Sequence, residues 1–210
     1  MDSFSISISK EQLSQLPVTT FEGQITVIDT AEGATAALET LSQEAIVGFD
    51  TETKPTFRKG HTNTVSLIQI STCDHAYLFR LNKIGFTDGL RHFMENPDVV
   101  KVGLSLKDDF FVLHKLREFE PQGFIDIQQL VKKFSISDSS LQKIYGIIFG
   151  GRISKHQRLS NWEADRLTPA QQAYAALDAK ACLNIYSHLS DGHFVPSQSQ
   201  YIKYPDEQQA

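Results

Sequence analysis

Residues 45–50, Ala-Ile-Val-Gly-Phe-Asp, form an uninterrupted apolar run that ends on a carboxylate. Without polar alternation, such a run reads as a strand covered on both faces. The chain around it must therefore supply a packing layer above and below one sheet.

The flanking segments supply both. Residues 24–29 (QITVID) read as a short strand, and Thr30 caps a helix over 31–42. Residues 64–71 (TVSLIQIS) alternate with period two and 75–81 (HAYLFRL) nearly so; both are expected as antiparallel neighbours of the first strand, turning at 72–74. A helix over 86–95 stops at Asn96-Pro97. There follow a strand over 99–104, a helix over 107–119, a short strand over 124–127 and a helix over 127–134. A helix over 139–149 ends at Gly150-Gly151, and Pro169 opens a last long helix to 189. This order predicts an α/β fold, a mixed β-sheet with helices on both faces. Residues 1–22 are expected as an N-terminal extension or strand-like arm, 23–190 as the functional domain, and 191–210 as a tail poorly ordered at its end.

At 210 residues, 40% hydrophobic and 21% charged, the chain has the composition of one soluble globular domain. No apolar stretch approaches the roughly 20 residues of a membrane span. The N-terminus lacks the basic lead and apolar stretch of a signal peptide. No membrane partner and a cytoplasmic location are expected. Cys73 and Cys182, far apart in apolar segments, read as buried free thiols in a reducing compartment. A net charge of −5 argues against a protein that coats nucleic acid non-specifically. It leaves open a nucleic-acid enzyme, because a carboxylate cage consumes several acids and bound cations reverse their sign.

The acids are placed for such a cage. Asp50 and Glu52 lie two apart at a strand end, so their side chains leave one face. Asp108-Asp109 fall in the first turn of a helix after a later strand, and Tyr174 and Asp178 share a face of the last helix. Hard divalent cations take oxygen ligands, and a pair of them needs carboxylates converging from separate elements. Each motif alone has a plain alternative: an acidic turn, compensation of a helix dipole, or a core tyrosine beside a solvated acid. Together they point to phosphodiester chemistry, without distinguishing an exonuclease from an endonuclease.

Acid-x-acid on the first strand, an acid after a later strand and Tyr-x-x-x-Asp on the last helix together resemble the DEDD exonuclease superfamily. The tyrosine-containing branch, with ribonuclease D and the exonuclease domain of the Werner syndrome protein, is the nearer likeness, over roughly residues 23–190. Lys101-Val102-Gly103, with Asp109 six residues after the glycine and Leu113 four further on, is similar to the family's second motif. Leu159-Ser160-Asn161-Trp162, Leu167-Thr168, Gln171 and Tyr174-Ala175-Ala176-Leu177-Asp178 are similar to its third-motif region. The resemblance implies a ribonuclease H-like fold, 3′–5′ exonuclease activity, and two divalent cations, Mg²⁺ or Mn²⁺, held by Asp50, Glu52, Asp109 and Asp178. It implies that Tyr174 orients the attacking water. Asp109 is preferred to Asp108 because it keeps the spacing from Gly103. The competing reading is a catalytically silent relative that binds nucleic acid or a protein partner; the filled acid and tyrosine positions favour the enzyme.

Basic residues flank these motifs: Lys54, Arg58, Lys59 and His61 follow the first, and Arg152, Lys155, His156 and Arg158 precede Asn161-Trp162. Basic loops beside a metal cage would track a phosphate backbone, although such runs also occur as plain solvated loops. With Thr51, with Phe57 against a terminal base and with Trp162 near the site, they make up the expected nucleic-acid contacts. The expected partner is an RNA or DNA 3′ end, between which no motif chooses. No further nucleic-acid-binding domain is expected after the last helix, so the chain would act alone or be recruited by a separate nucleic-acid-processing protein.

Overall fold

The structure, a computed structural model, describes residues 4–56 and 64–205. In chain order its elements are β1 (Ser5–Ile6), α1 (Lys10–Ser14), β2 (Gln24–Ile28), α2 (Ala31–Leu41), β3 (Ile46–Thr53), β4 (Val65–Ser71), β5 (His75–Arg80), α3 (Leu81–Ile84) and α4 (Asp88–Glu95). There follow β6 (Val100–Gly103), α5 (Leu106–Leu113), β7 (Phe124–Asp126), α6 (Ile127–Leu130), α7 (Leu141–Phe149), α8 (Pro169–Ser190) and β8 (Ile202–Lys203). Short 3₁₀ turns cover Val131–Phe134 and Pro196–Gln198.

Six strands form one mixed sheet in the order β2-β5-β4-β3-β6-β7. β3–β4 and β4–β5 are antiparallel, and the other pairs are parallel. β5 lies one strand further out than expected, between β4 and β2 rather than beside β3. Along β3 the side chains alternate between layers. Val47 and Phe49 join a core with Leu38 and Leu41 of α2, Phe93 of α4, and Leu106 and Leu113 of α5. Gly48, Asp50 and Glu52 face the opposite layer, where α8 packs over the sheet. Helices cover both faces, as the apolar run required.

Local signals set most boundaries. Thr30 and Thr87 accept from the backbone N–H three residues on, at the starts of α2 and α4. Gly150, in the left-handed region at φ 65°, closes α7. Thr168 and Gln171 form a capping box ahead of Pro169 at the start of α8. α5 is shorter than its periodicity predicts. After Leu113 the chain turns back, His114 stacks on Phe119 at 4.6 Å, and its Nε2 donates to the Phe119 carbonyl at 2.9 Å. Phe119, buried against Phe86 and Phe110, gains more from that packing than from continuing the helix.

The terminal segments are part of the packed body. β1 pairs antiparallel with β8, Ser5 opposite Lys203. Ile6 and Ile8 are fully buried in a second core with Val131, Ile144, Ile185 and Tyr201. Residues 4–22 of the segment expected as an extension or strand-like arm are thus folded into the domain, with β8 and Tyr201 packed against the first of these residues. Cys182 is buried as expected, whereas Cys73 is exposed because it falls in the β4–β5 turn rather than in a strand. Among the described residues no helix is long and apolar enough to cross a membrane.

Candidate active site

The site begins where β3 outruns its neighbour. β6 pairs with β3 only from Ile46 to Gly48, while β4 accompanies β3 as far as Thr53. Asp50 and Glu52 therefore project from a strand open on one side, and the acidic motif lies within the strand rather than at its end. Gln69, directly opposite Asp50 on β4, is fully buried, and neither polar atom of its amide has a hydrogen bond.

α8 brings the third acid. A Cβ on Gly48 would overlap the Ala179 carbonyl oxygen, so only glycine lets α8 come this close to β3. Asp178 precedes that contact, and carboxylate oxygens of Asp50, Glu52 and Asp178 lie within 4.8 Å of one another. One turn earlier the Tyr174 hydroxyl donates to Asp178. The Tyr174 ring rests on the indole of Trp162, centroids 6.1 Å apart.

Asp109 arrives from the other layer. It stands outside the three-acid group, and its Oδ1 accepts from the Thr51 hydroxyl at 2.5 Å. Asp108 beside it is exposed, so the helix phase selects Asp109. Asp126 holds α5 in place: its carboxylate accepts from the backbone N–H of Leu106 at 3.0 Å and of Gln128 at 2.8 Å, capping α5 and α6 together. Ser105, in the left-handed region at φ 62°, makes the turn from β6 into α5.

Crowded carboxylates out of water resist ionisation. Burial, then the Asp178 charge, holds Asp50 well above the usual carboxylate range. Burial and then Asp50 push Glu52 up to about 10, and Asp109 is raised to about 8 by the same two causes. Burial raises Asp178 to about 7, against the opposing effect of its bond from Tyr174. Burial and then the neighbouring acids drive the Tyr174 phenol far up, so it remains protonated.

A cleft of about 480 Å³ opens over Asp50, Glu52 and Asp178, and Asp109 lies behind its lining, reached through Thr51. Thr51, Lys155 and Arg158 line it, as the sequence predicts for nucleic-acid contacts, and the Arg158 charge acts on Glu52. Thr51 also tethers Asp109. Other expected contacts do not belong to the cleft. Trp162 is fully buried with Leu67, Leu78 and Leu167 and supports Tyr174 from behind, because the sheet offers that indole an apolar seat. Lys54 is paired with Glu163 at 2.9 Å, joining the end of β3 to the loop before α8. Arg152 turns into a neighbouring groove beside α1. Phe57, Arg58, Lys59 and His61 lie outside the described residues.

Sequence reading missed the far wall of the cleft: Ser105, Gln128, Ser139, Ser140 and Gln142. No local motif marks these polar residues; only the fold puts them opposite the acids. It also missed Arg80, buried at the end of β5, whose guanidinium donates to the carbonyls of Ala164 and Asp165. With Gln171 Nε2 donating to the Asn161 carbonyl, it pins the loop that carries Trp162 and Glu163.

A mixed sheet covered on both faces, with carboxylates gathered from its central strand and a crossing helix, has the ribonuclease H-like fold. The chain belongs to the 3′-5′ exonuclease family, whose model matches residues 25–192. It is 31% identical over 159 residues to the mouse (Mus musculus) "Bifunctional 3'-5' exonuclease/ATP-dependent helicase WRN", covering 72% of this chain and 11% of that protein. It is 32% identical over 165 residues to an Arabidopsis thaliana "3'-5' exonuclease", covering 70% of this chain and 53% of that one. The chain therefore spans about a tenth of the one relative and half of the other. In fold it matches the crystal structure of the Aedes aegypti Nibbler EXO domain with a TM-score of 0.74 at 24% identity, over 86% of this chain and 97% of that one.

Proposed function

We propose that the protein is a metal-dependent 3′–5′ exonuclease that removes nucleotides from RNA or DNA 3′ ends. The Asp50–Glu52–Asp178 cluster carries this reading. Asp50, Glu52 and Asp178, all held above the usual carboxylate range and with no lysine or arginine in ion-pair contact with them among the described residues, form an all-oxygen donor set that suits a hard cation. With Asp109 they would hold two divalent cations, Mg²⁺ or Mn²⁺. Bound cations supply positive charge to the scissile phosphate and acidify a water.

The chain's own groups do the rest. Tyr174 cannot act as a base with its phenol so strongly protonated, and its proton is committed to Asp178. Its remaining lone pairs accept a hydrogen bond from the attacking water and so orient it. Trp162 and Asp178 fix the ring in that position. Lys155 and Arg158, exposed at the cleft, meet the phosphates of the strand. Direction rests on family membership, since the carboxylates would equally serve an endonuclease. The mouse relative's name couples an exonuclease to a helicase, and we infer recruitment of this chain, in the cytoplasm, by a separate nucleic-acid-processing protein.

The test is digestion of matched 5′-labelled RNA and DNA, single- and double-stranded, with Mg²⁺ or Mn²⁺. A descending ladder is expected, abolished by excess EDTA and reduced about a thousandfold in Asp50→Asn, the scale of charge stabilisation that metal sites provide. Tyr174→Phe is expected to lose about a hundredfold in kcat. Activity persisting in EDTA, or cleavage of a circular substrate, overturns the reading.

A further inference from the structure

Beside the cleft runs a second groove, of about 440 Å³, between α1 and the loop that follows α7. Lys10, Leu13 and Ser14 of α1 form one wall, and Arg152, Ile153, Lys155 and His156 the other. Among the described residues three cations and an imidazole line it and no acid does, in a chain whose net charge is −5. The two cavities adjoin, with Gln142 and Lys155 lining both. Gln142 is only 8% exposed, and among the described residues its amide makes no hydrogen bond. Nε of Arg152 is likewise buried without a partner.

The wall formed by α1 is built into the fold. Ser9 and Gln12 close a capping box on the helix. Gly146 of α7 leaves room for Leu13 and Leu16, whose methyl groups would lie 2.9 and 3.1 Å from a Cβ there. Backbone bonds from Arg152 N to the Pro17 carbonyl at 2.8 Å, and from Thr19 N to the Arg152 carbonyl at 2.9 Å, stitch the segment after α1 to the basic loop. α1 lies before residue 25, outside the part of the chain that the family model matches.

We propose that this groove holds the sugar-phosphate backbone of the single strand upstream of its 3′ end, as the strand leaves the cleft. The proposal rests on reading the cleft as the exonuclease site. Phosphates pair with Lys10, Arg152 and Lys155, while Leu13 and Ile153 offer an apolar floor. Among the described residues no Phe, Tyr or Trp lines the groove, so the hold is mainly ionic, salt-dependent and indifferent to base sequence.

The experiment compares the full-length wild type with Lys10→Glu and with Lys10→Glu/Ser14→Glu, both positions being exposed. Anisotropy of labelled three- and twelve-nucleotide single strands is measured with Ca²⁺ across a salt series, and kcat and KM on the same strands with Mg²⁺. The wild type is expected to bind the longer strand about tenfold more tightly. The variants lose that advantage, their salt slope for the longer strand falls by about 0.7 per phosphate contact removed, and their affinity for the short strand stays within about twofold. Equal losses on both lengths, or a wild type without a length advantage, overturn the groove. Length-dependent binding lost in the variants, without hydrolysis by the wild type, keeps the groove and removes the exonuclease reading. Hydrolysis of both strands without a length effect does the reverse.

Discussion

Single side chains in this site act through crowding. Asp178 at about 7, Asp109 at about 8 and Glu52 at about 10 all lie above the unfolded carboxylate range near 4. A raised folded pKa means that the metal-free native state binds more protons than the unfolded chain. Its contribution to stability is complete below about pH 4 and is lost as pH rises through those values. The EDTA-treated protein should therefore lose stability between pH 5.5 and 8.5, on the order of a few kcal/mol, seen as a falling Tm. Mg²⁺ or Mn²⁺ should restore it, more at pH 8.5 than at 5.5, because cations take the place of the protons. Differential scanning fluorimetry reads both trends, and a Tm indifferent to metal at pH 8.5 counts against the cluster as a cation site. Gly48 belongs to the same scale: one absent methyl group lets Asp178 reach Asp50.

Secondary-structure elements do the aiming. β3 carries its acids past the end of β6, α8 delivers Asp178 and Tyr174 on one helical face, and α5 brings Asp109 from the opposite layer. Asp126 is the joint that keeps α5 in register, since one carboxylate serves the first turns of two helices. Asp126→Ala should cost about 1–2 kcal/mol in urea unfolding and lower kcat, with Asp126→Asn recovering much of the stability. A variant with unchanged kcat despite the lost stability would separate Asp109 from the chemistry.

At the scale of the whole molecule, the ends of the chain close the second core. Ile6 and Ile8 are fully buried, Ile8 N donates to Asp138 Oδ2 at 2.9 Å, and β8 lies along β1. Ile6→Ala and Ile8→Ala should each cost about 2–5 kcal/mol, read from denaturant midpoints. Losses within about 0.5 kcal/mol would show that the arm is detachable. Because α1 docks on α7 beside this core, such variants should also weaken binding of the longer strand.

Signals carried by residues a few positions apart were legible in the sequence. These include the doubly covered strand before Asp50, the cap and proline that start α8, the glycine that ends α7, and the acids and tyrosine of the site. Helical phase and strand alternation are local properties, so they survive in the linear text. Choices between distant partners were not legible. The hydrogen bond that Thr51 donates to Asp109 spans 58 residues, and Lys54 meets Glu163 across 109. Trp162 is core rather than contact because Leu67 and Leu78 lie beneath it, and residues 4–22 are structure rather than extension because β8 and α7 cover them. Burial and pairing are properties of the packed interior, where a side chain's environment comes from every layer it touches. The chain alone therefore determined which groups could do the chemistry, and the tertiary structure decided which of them meet and where a strand can lie across them.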